Sequence, residues 1–384
     1  MRQPGRVLIT TWDGAGNLPP VLTLARALVE QGNDVHVLGH NSTRQRFERE
    51  GCTYHPLKNV LQPDFIRNGL PVDQEVRFAT DNIFYEKGFL TNLHTTINKL
   101  SPDVVLVDMS LRYAILEGLS SDKPLVVLCH TLYSLMSGGN NKDSHFQELN
   151  EVALLAGLCP FESRKQMVES ADQVLSFSYA PFDQLAGDEI GSNVLHVGPL
   201  RSFNSESFTW SRKYPGRNLV LIALSTSNQN QGALLQRLCD ACENLDVEAF
   251  VTTGPTISPD TLDTPENVKA IQYIPHDKVL PNVDLLITHA GHGTVMAGVT
   301  YGVPMMCIPM GRDQPYIARR VDTLGLGTML DVDTPIDALQ RTILNMLNDT
   351  ELRKRARDFS NSLQGHAGIG EAIEAIHKVM KKNE

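Results

Sequence analysis

The sequence predicts an α/β protein built as two parallel-sheet halves, and three observations carry that prediction. Short apolar runs alternate with amphipathic helical segments along most of the chain, at the interval of βαβ units. The length, 384 residues, suits two domains of ordinary size, each able to bury its own core. A polar stretch without periodicity, Leu200 to Asn218, separates two halves that share this plan and reads as a linker with its lead-in.

In chain order, Arg6 to Thr11 reads as a strand and Leu18 to Gln31 as an amphipathic helix stopped by Gly32. Asp34 to Leu38 is the next strand, followed by a helix from about Ser42 to Glu50 that closes at Gly51. Leu57 to Gln74 has no clean period and reads as a mobile loop, and Glu75 to Leu100 as one long helical stretch ending at Ser101-Pro102. Val104 to Val107 is an apolar strand delivering Asp108 at its carboxyl end; Leu125 to Leu128 delivers Cys129, His130 and Thr131 in the same way. After a Gly/Asn-rich stretch, Ser137 to Ser144, the pattern is helical to Ser170, and Val174 to Phe177 and Val194 to Val197 are the last strands of this half. The second half restarts with strand Leu219 to Leu224, a helix over Gln231 to Leu245, and strands Val247 to Thr252 and Val268 to Gln272. Thr334 to Val379 is helical, with breaks near Asn348-Asp349 and Gln364-Gly365.

Composition excludes several classes. The net charge of −10 comes from interspersed acidic and basic residues, which argues against a nucleic-acid partner, since that would call for a basic face. No window of about 18 apolar residues exists, so no membrane span is expected. Met1 to Arg6 runs straight into a strand without a signal-peptide core, so the expected location is cytoplasmic. Of six scattered cysteines only Cys239 and Cys242 share a C-x-x-C spacing. They fall late in a helix, with no second pair for zinc, and read as structural.

The chemistry concentrates in Asp284 to Arg320. Leu285 to Ile287 suits a buried parallel strand, Thr288 to Thr294 a glycine-bearing turn, and Val295 to Tyr301 a helix stopped by Gly302-Val303-Pro304. A second apolar run, Met305 to Ile308, leads to the loop Met310 to Gln314. Gly291 and Gly293 allow close backbone approach, and the N–H groups of a first helical turn form an anion site. His289 at the strand's carboxyl end lies where open α/β sheets bind ligands; the spacing alone fits a packing histidine equally well.

Tyr273-Ile-Pro-His276, His289-Ala-Gly291, Gly293-Thr294, Gly302-Val-Pro304 and Asp313-Gln314 together make this segment resemble the nucleotide-sugar signature of the UDP-glycosyltransferase superfamily, the inverting GT-B enzymes of the bacterial antibiotic and macrolide type. The likeness extends more loosely over nearly the whole chain. It implies a GT-B fold, two Rossmann-like domains with parallel sheets facing across a cleft. Residues 1–198 would bind the acceptor, 199–218 would be the linker, 219–370 would bind the nucleotide sugar, and 371–384 would form a helix packing back on the first domain.

On the donor side the resemblance implies that Tyr273 stacks on the base with Ile274 offering backbone groups to its edge. His289, Gly291, Gly293 and Thr294 would hold the diphosphate. Ser225, Thr226 and Ser227 stand where the family has a phosphate-contacting turn, here without its glycine, and Thr253 ends the next strand at the same rim. Asp313 and Gln314 match the pair that bonds sugar hydroxyls. Arg312 fits either a phosphate contact or, more simply, a solvated loop charge. Ala297 stands where plant members carry a ribose-gripping glutamate, which favours dTDP over UDP.

On the acceptor side the usual catalytic histidine of a Gly-His-x-x-Pro turn is replaced by Asn17, which cannot be a general base at neutral pH. Asp108, matching the residue that orients the missing histidine, and Asp13 in the same turn are the candidate catalytic carboxylates; His130, at a strand end, is a spare candidate that more often is a packed rim residue. Tyr54, Phe65, Phe78, Phe84, Tyr85 and Phe89 suit an apolar acceptor pocket or a core. The implied reaction is transfer of a hexose or deoxyhexose to a hydroxyl of a small apolar natural product, with the nucleotide diphosphate sugar as co-substrate, no cofactor and no metal. The implied partners are that donor and a small-molecule acceptor, and a homodimer is one assembly open to the chain. Two other classes remain: a sugar-nucleotide epimerase or hydrolase, marked by nucleotide release without acceptor, and a non-catalytic activator, which would have no need of Asp313 and Gln314.

Overall fold

The computed structural model describes residues 4–14, 16–63, 70–137, 143–183, 190–200, 210–363, 365 and 368–381. The chain divides into two compact units. One comprises Met1–Asp64, Val76–Ser202 and His366–Glu384, and the other Phe65–Glu75 and Phe203–Gly365.

The first unit holds a seven-stranded parallel sheet: β1 (Arg6–Thr10), β2 (Asp34–Gly39), β3 (Thr53–Pro56), β4 (Val104–Asp108), β5 (Leu125–Cys129), β6 (Gln173–Ser176) and β7 (Val194–His196). Their order is β3-β2-β1-β4-β5-β6-β7, so the winding direction reverses between β1 and β4. Every residue of β4 and β5 is buried, which is why both read as unbroken apolar runs rather than as alternating ones. The helix Leu18–Glu30 buries Leu18, Val21, Leu24, Ala25 and Leu28. The helix Ile369–Met380 adds Ala372, Ile373, Ala375, Ile376 and Val379 to the same core, against residues such as Val7, Ile9 and Leu106.

The second unit holds a six-stranded parallel sheet: β8 (Asn218–Ala223), β9 (Val247–Thr252), β10 (Val268–Ile271), β11 (Leu285–Thr288), β12 (Met305–Cys307) and β13 (Gly327–Met329). Here the order is β10-β9-β8-β11-β12-β13, with the reversal between β8 and β11. The two sheets and their helices are the two Rossmann-like domains of a GT-B fold. Each reversal opens a crevice at the carboxyl ends of the flanking strands, the place where doubly wound sheets take ligands.

Several elements depart from the sequence reading. Strands β3 and β13 were not expected; both are edge strands, and β3 exposes Thr53 and Pro56. The stretch from Glu75 to Leu100 is not one helix. It is Val72–Ala79, a wide π-type turn over Thr80–Phe84, and then Gly88–Leu100. The Glu86 carboxylate accepts from Gly88 N–H at 2.7 Å, and Asn92 holds both backbone groups of Lys58, fixing the break. The helical pattern to Ser170 is likewise two helices, Ser144–Leu155 and Arg164–Glu169, parted by Gly157 to Pro160. Residues 64–69 of the expected loop, 138–142 of the Gly/Asn-rich stretch and 201–209 of the expected linker lie outside the described residues. Cys239 and Cys242 are buried, and burial pushes their thiols up to about 11 and about 12, as fits structural rather than reactive sulfurs. Among the described residues no helix is long and apolar enough to cross a membrane.

Candidate functional site

The carboxyl rim of the first sheet carries a connected polar cluster. Parallel register sets Thr10 beside Val107 and Asp108 beside Leu128, so the ends of β1, β4 and β5 are level. Asp108, with no exposed surface, is the hub. Its Oδ1 accepts from Ser110 N–H at 2.9 Å, and its Oδ2 from the Asn17 amide at 2.9 Å. His130 Nδ1 lies 3.2 Å from the same Oδ2. Burial by itself raises the Asp108 pKa, but His130 and the Ser110 and Asn17 donors outweigh it and hold the carboxyl below its usual value.

Asn17 does not cap the helix that it precedes. Its Nδ2 also donates to the Trp12 carbonyl at 3.1 Å, while its Oδ1 accepts from Gly14 N–H at 3.1 Å, so the amide is locked in the turn. Asp13 is separately engaged: it accepts from Ser42 Oγ at 2.7 Å. The structure therefore joins Asp108 to Asn17 and ties Asp13 to the start of the following helical segment. Of the expected pocket aromatics, Phe84 packs edge-on against Trp12 with centroids 5.3 Å apart, whereas Tyr54 and Phe89 are buried, Tyr54 in the sheet's core; Phe65 lies outside the described residues.

His130, a spare candidate read more readily as a packed rim residue, is the functional candidate that sequence reasoning undervalued. Its signal was available: it follows the end of β5, two residues past the position in register with Asp108, and β4 and β5 are neighbours.

The carboxyl rim of the second sheet is built on β11. His289 follows it, Ala290 adopts a left-handed φ of 64°, and the helix His292–Tyr301 starts after Gly291 with no side chain capping it. Glycine is required at 291, because a Cβ there would sit 2.5 Å from His289 Nε2. Gly293 is exposed in the first turn, and Thr294 N–H turns back to Gly291 O at 3.0 Å. His289 is 8% exposed. Burial, then the nearby Arg312 guanidinium, lower its pKa to about 4 against the opposing pull of Asp313 and the Ala223 carbonyl, so the ring is neutral near pH 7. Its Nδ1 is buried without a well-formed hydrogen bond among the described residues.

The turn after β8 is braced. Ser225 and Ser227 are buried and their hydroxyls lie 2.9 Å apart, while Thr226 is exposed. Gln231 Nε2 donates to Ser225 O at 3.0 Å and Ser227 O at 3.2 Å, and its Oε1 accepts from Gln229 N–H at 2.7 Å. Thr253, at the end of β9, is buried; the next residue, Gly254, lies against this turn, where a Cβ would come within 3.3 Å of Ser225 O.

Arg312 is not a solvated loop charge. It donates to the Glu75 carboxylate and to Ser227 Oγ at 3.0 Å, linking the β12 loop to the β8 turn. Gln314 is 2% exposed and turned inward, donating to Gln229 Oε1 at 3.0 Å and accepting from Met310 N–H at 2.8 Å; Asp313 is half-buried. His289, Asp313 and the serine turn thus gather around Arg312. Ile274 is buried, whereas Tyr273 is 66% exposed, and no bond or ring contact joins it to this cluster among the described residues. Ala297 is buried inside the helix's packed face. Among the described residues no three His, Cys, Asp or Glu side chains are grouped to hold a metal ion.

Comparison with known proteins agrees with both halves. Residues 236–375 match the family model "Erythromycin biosynthesis protein CIII-like, C-terminal domain", and residues 21–178 match "Glycosyltransferase Family 4". The chain is 26% identical over 375 residues to the NDP-glycosyltransferase YjiC of Bacillus licheniformis, covering 94% of each chain. Its fold is similar to that of the kitacinnamycin glycosyltransferase, with a TM-score of 0.82, 20% identity, and 98% of this chain and 100% of that one covered. It is also similar to glycosyltransferase VinC solved with dTDP, with a TM-score of 0.73, 19% identity, and coverage of 98% and 100%. With the fold, the two rims and these likenesses in view, the chain has a GT-B fold and is related to the bacterial natural-product glycosyltransferases.

Proposed function

We propose that this protein is an inverting glycosyltransferase that moves a hexose or deoxyhexose from a nucleotide diphosphate sugar, preferably a dTDP-sugar, to a hydroxyl of a small apolar natural product. The observation that carries the reading is His289: a buried, neutral imidazole beside an uncapped helix start, with Arg312 close enough to lower its pKa. A neutral ring donates a hydrogen bond to a diphosphate oxygen, and the first-turn N–H groups with the Arg312 guanidinium supply positive potential as the leaving group gains charge. Exposed Tyr273 is available to stack on the base. Asp313 is the sugar-side carboxylate, and Gln314, bonded inward, positions its loop. Asp108 and Asn17 belong to the acceptor side, in the first unit.

The preference for dTDP rests on the missing carboxylate at Ala297 and on the similarity to VinC, whose solved structure holds dTDP. Thermal unfolding with millimolar dTDP, UDP and GDP tests it. A ligand at about a hundred times its dissociation constant adds roughly 2.7 kcal/mol, a shift of a few degrees in a protein of this size. The expected result is a selective shift with dTDP. A larger shift with UDP would sink the nucleotide preference, and no shift with any of the three would sink the donor site.

A further inference from the structure

We propose that His130 is the general base of the transfer, with Asp108 as the residue that orients it, so that the catalytic histidine sits after β5 instead of at the start of the first helix. The inference rests on the transferase reading above and deepens it.

Four groups compete for the role; Asp13 is already committed to Ser42 Oγ at 2.7 Å, and exposure separates the other three. Asp108 has no exposed surface and already receives Ser110 N–H and the Asn17 amide, with His130 beside it. A carboxylate so enclosed cannot touch an acceptor hydroxyl. Asn17 is 3% exposed, its amide is spent inside its own turn and on Asp108, and an amide does not titrate near neutrality. The His130 side chain is 18% exposed, so it is reachable from the surface while one ring nitrogen stays 3.2 Å from a buried carboxylate. A small turn of the ring that brings this contact into hydrogen-bond geometry makes Nδ1–H the donor to the carboxylate and Nε2 the basic nitrogen, the arrangement by which a carboxylate fixes a catalytic tautomer. In this structure the contact, at 3.2 Å, falls short of hydrogen-bond geometry, as catalytic contacts often do before substrate tightens them. Asn17 fills the position from which a helix-borne histidine would otherwise compete for the same Oδ2.

The step balances without further reagents. The acceptor oxygen forms its bond to the anomeric carbon as the bond from that carbon to the diphosphate oxygen breaks. The electron pair leaves with the nucleotide diphosphate, and the hydroxyl proton passes to His130 Nε2, from which water removes it. Asp108 stabilises the imidazolium in between.

The test compares native protein with His130→Gln, which can still donate to Asp108 but cannot accept a proton. Transfer from dTDP-glucose is followed to 2-naphthol, whose hydroxyl needs a base, and to 4-nitrophenol, which is largely ionised at about pH 8. A positioned base contributes about 10²- to 10⁴-fold, so kcat should fall at least about 100-fold on 2-naphthol and less than about 10-fold on 4-nitrophenol. Equal losses on both acceptors would mark a structural role and overturn the assignment, as would an unchanged kcat. The variant's fold is checked by its unfolding midpoint and near-UV circular dichroism without ligand, and its dTDP-induced thermal shift shows separately that the donor side is intact. No transfer by the native protein to either acceptor would defeat the transferase reading and this inference with it. A second measurement needs no acceptor: ¹⁵N spectra of the native chain should show His130 protonated at Nδ1 and bare at Nε2. The opposite tautomer would overturn the proposal even if transfer is observed.

Discussion

A histidine that stays neutral down to mild acid has to be built, and at His289 the parts are visible: a buried ring, a glycine against its edge and a guanidinium nearby. The consequence has a sign. The ring's pKa in the fold, about 4, lies below the roughly 6.5 of an unfolded chain, so as pH falls through that window the unfolded state takes up a proton the fold refuses. Stability supplied by the neutral ring is complete above about pH 6.5 and is lost toward pH 4, at no more than about 1.4 kcal/mol per pH unit. Urea unfolding at several pH values should show a shallower decline for His289→Gln than for the native chain, and the same variant should lose most of its dTDP-induced thermal shift. Equal slopes would mean that the ring is not held neutral. At this scale the sequence disclosed positions more readily than partners. His289 and Asp108 stand at strand ends, which periodicity reveals. The contact of His130 with Asp108 and the bonds from Arg312 to Glu75 and Ser227 join distant stretches of chain, and no local pattern encodes them.

Elements show where local and long-range information part. Buried parallel strands were legible because each is an apolar run; the edge strands β3 and β13 were not, being short and partly exposed. The π-type turn after Ala79 was hidden because Thr80 to Phe84 keeps a helical composition while its hydrogen bonding widens. The β8 turn depends on a residue that no motif singled out. Gln231, 1% exposed, makes three hydrogen bonds to the backbone of Ser225, Ser227 and Gln229. Gln231→Ala leaves those groups unsatisfied and should destabilise the protein by about 1–3 kcal/mol. It should also weaken dTDP binding, measured by calorimetry. Native affinity at reduced stability would show that the turn does not shape the donor site.

For the whole molecule, the alternation of strand and helix was enough to foresee two parallel sheets, because each must bury both faces and announces this in its composition. Which helix completes which core is settled by packing alone. The helix Ile369–Met380 belongs to the first unit's core although the second unit precedes it in the chain. Ile376, with no exposed surface, should therefore cost about 2–5 kcal/mol when cut to alanine, read on the first unit's unfolding transition. Lys378→Ala, exposed on the same helix, should stay within about 0.5 kcal/mol. A similar cost for both would mean that this helix does not complete the core.

The same arrangement sets an order of events during synthesis. Strands β1 to β7 all leave the ribosome before the second unit's sheet, while the helix Ile369–Met380, which shares a core with Val7, Ile9 and Leu106, leaves after it. At roughly 5–20 residues per second the interval is on the order of ten seconds. For that time the nascent first sheet carries an incompletely covered apolar face, with the helix Leu18–Glu30 in place and the last helix still missing, and the later sheet can fold to completion first. The part of the chain made earliest is the part finished last, and it is there that a chaperone has something to hold.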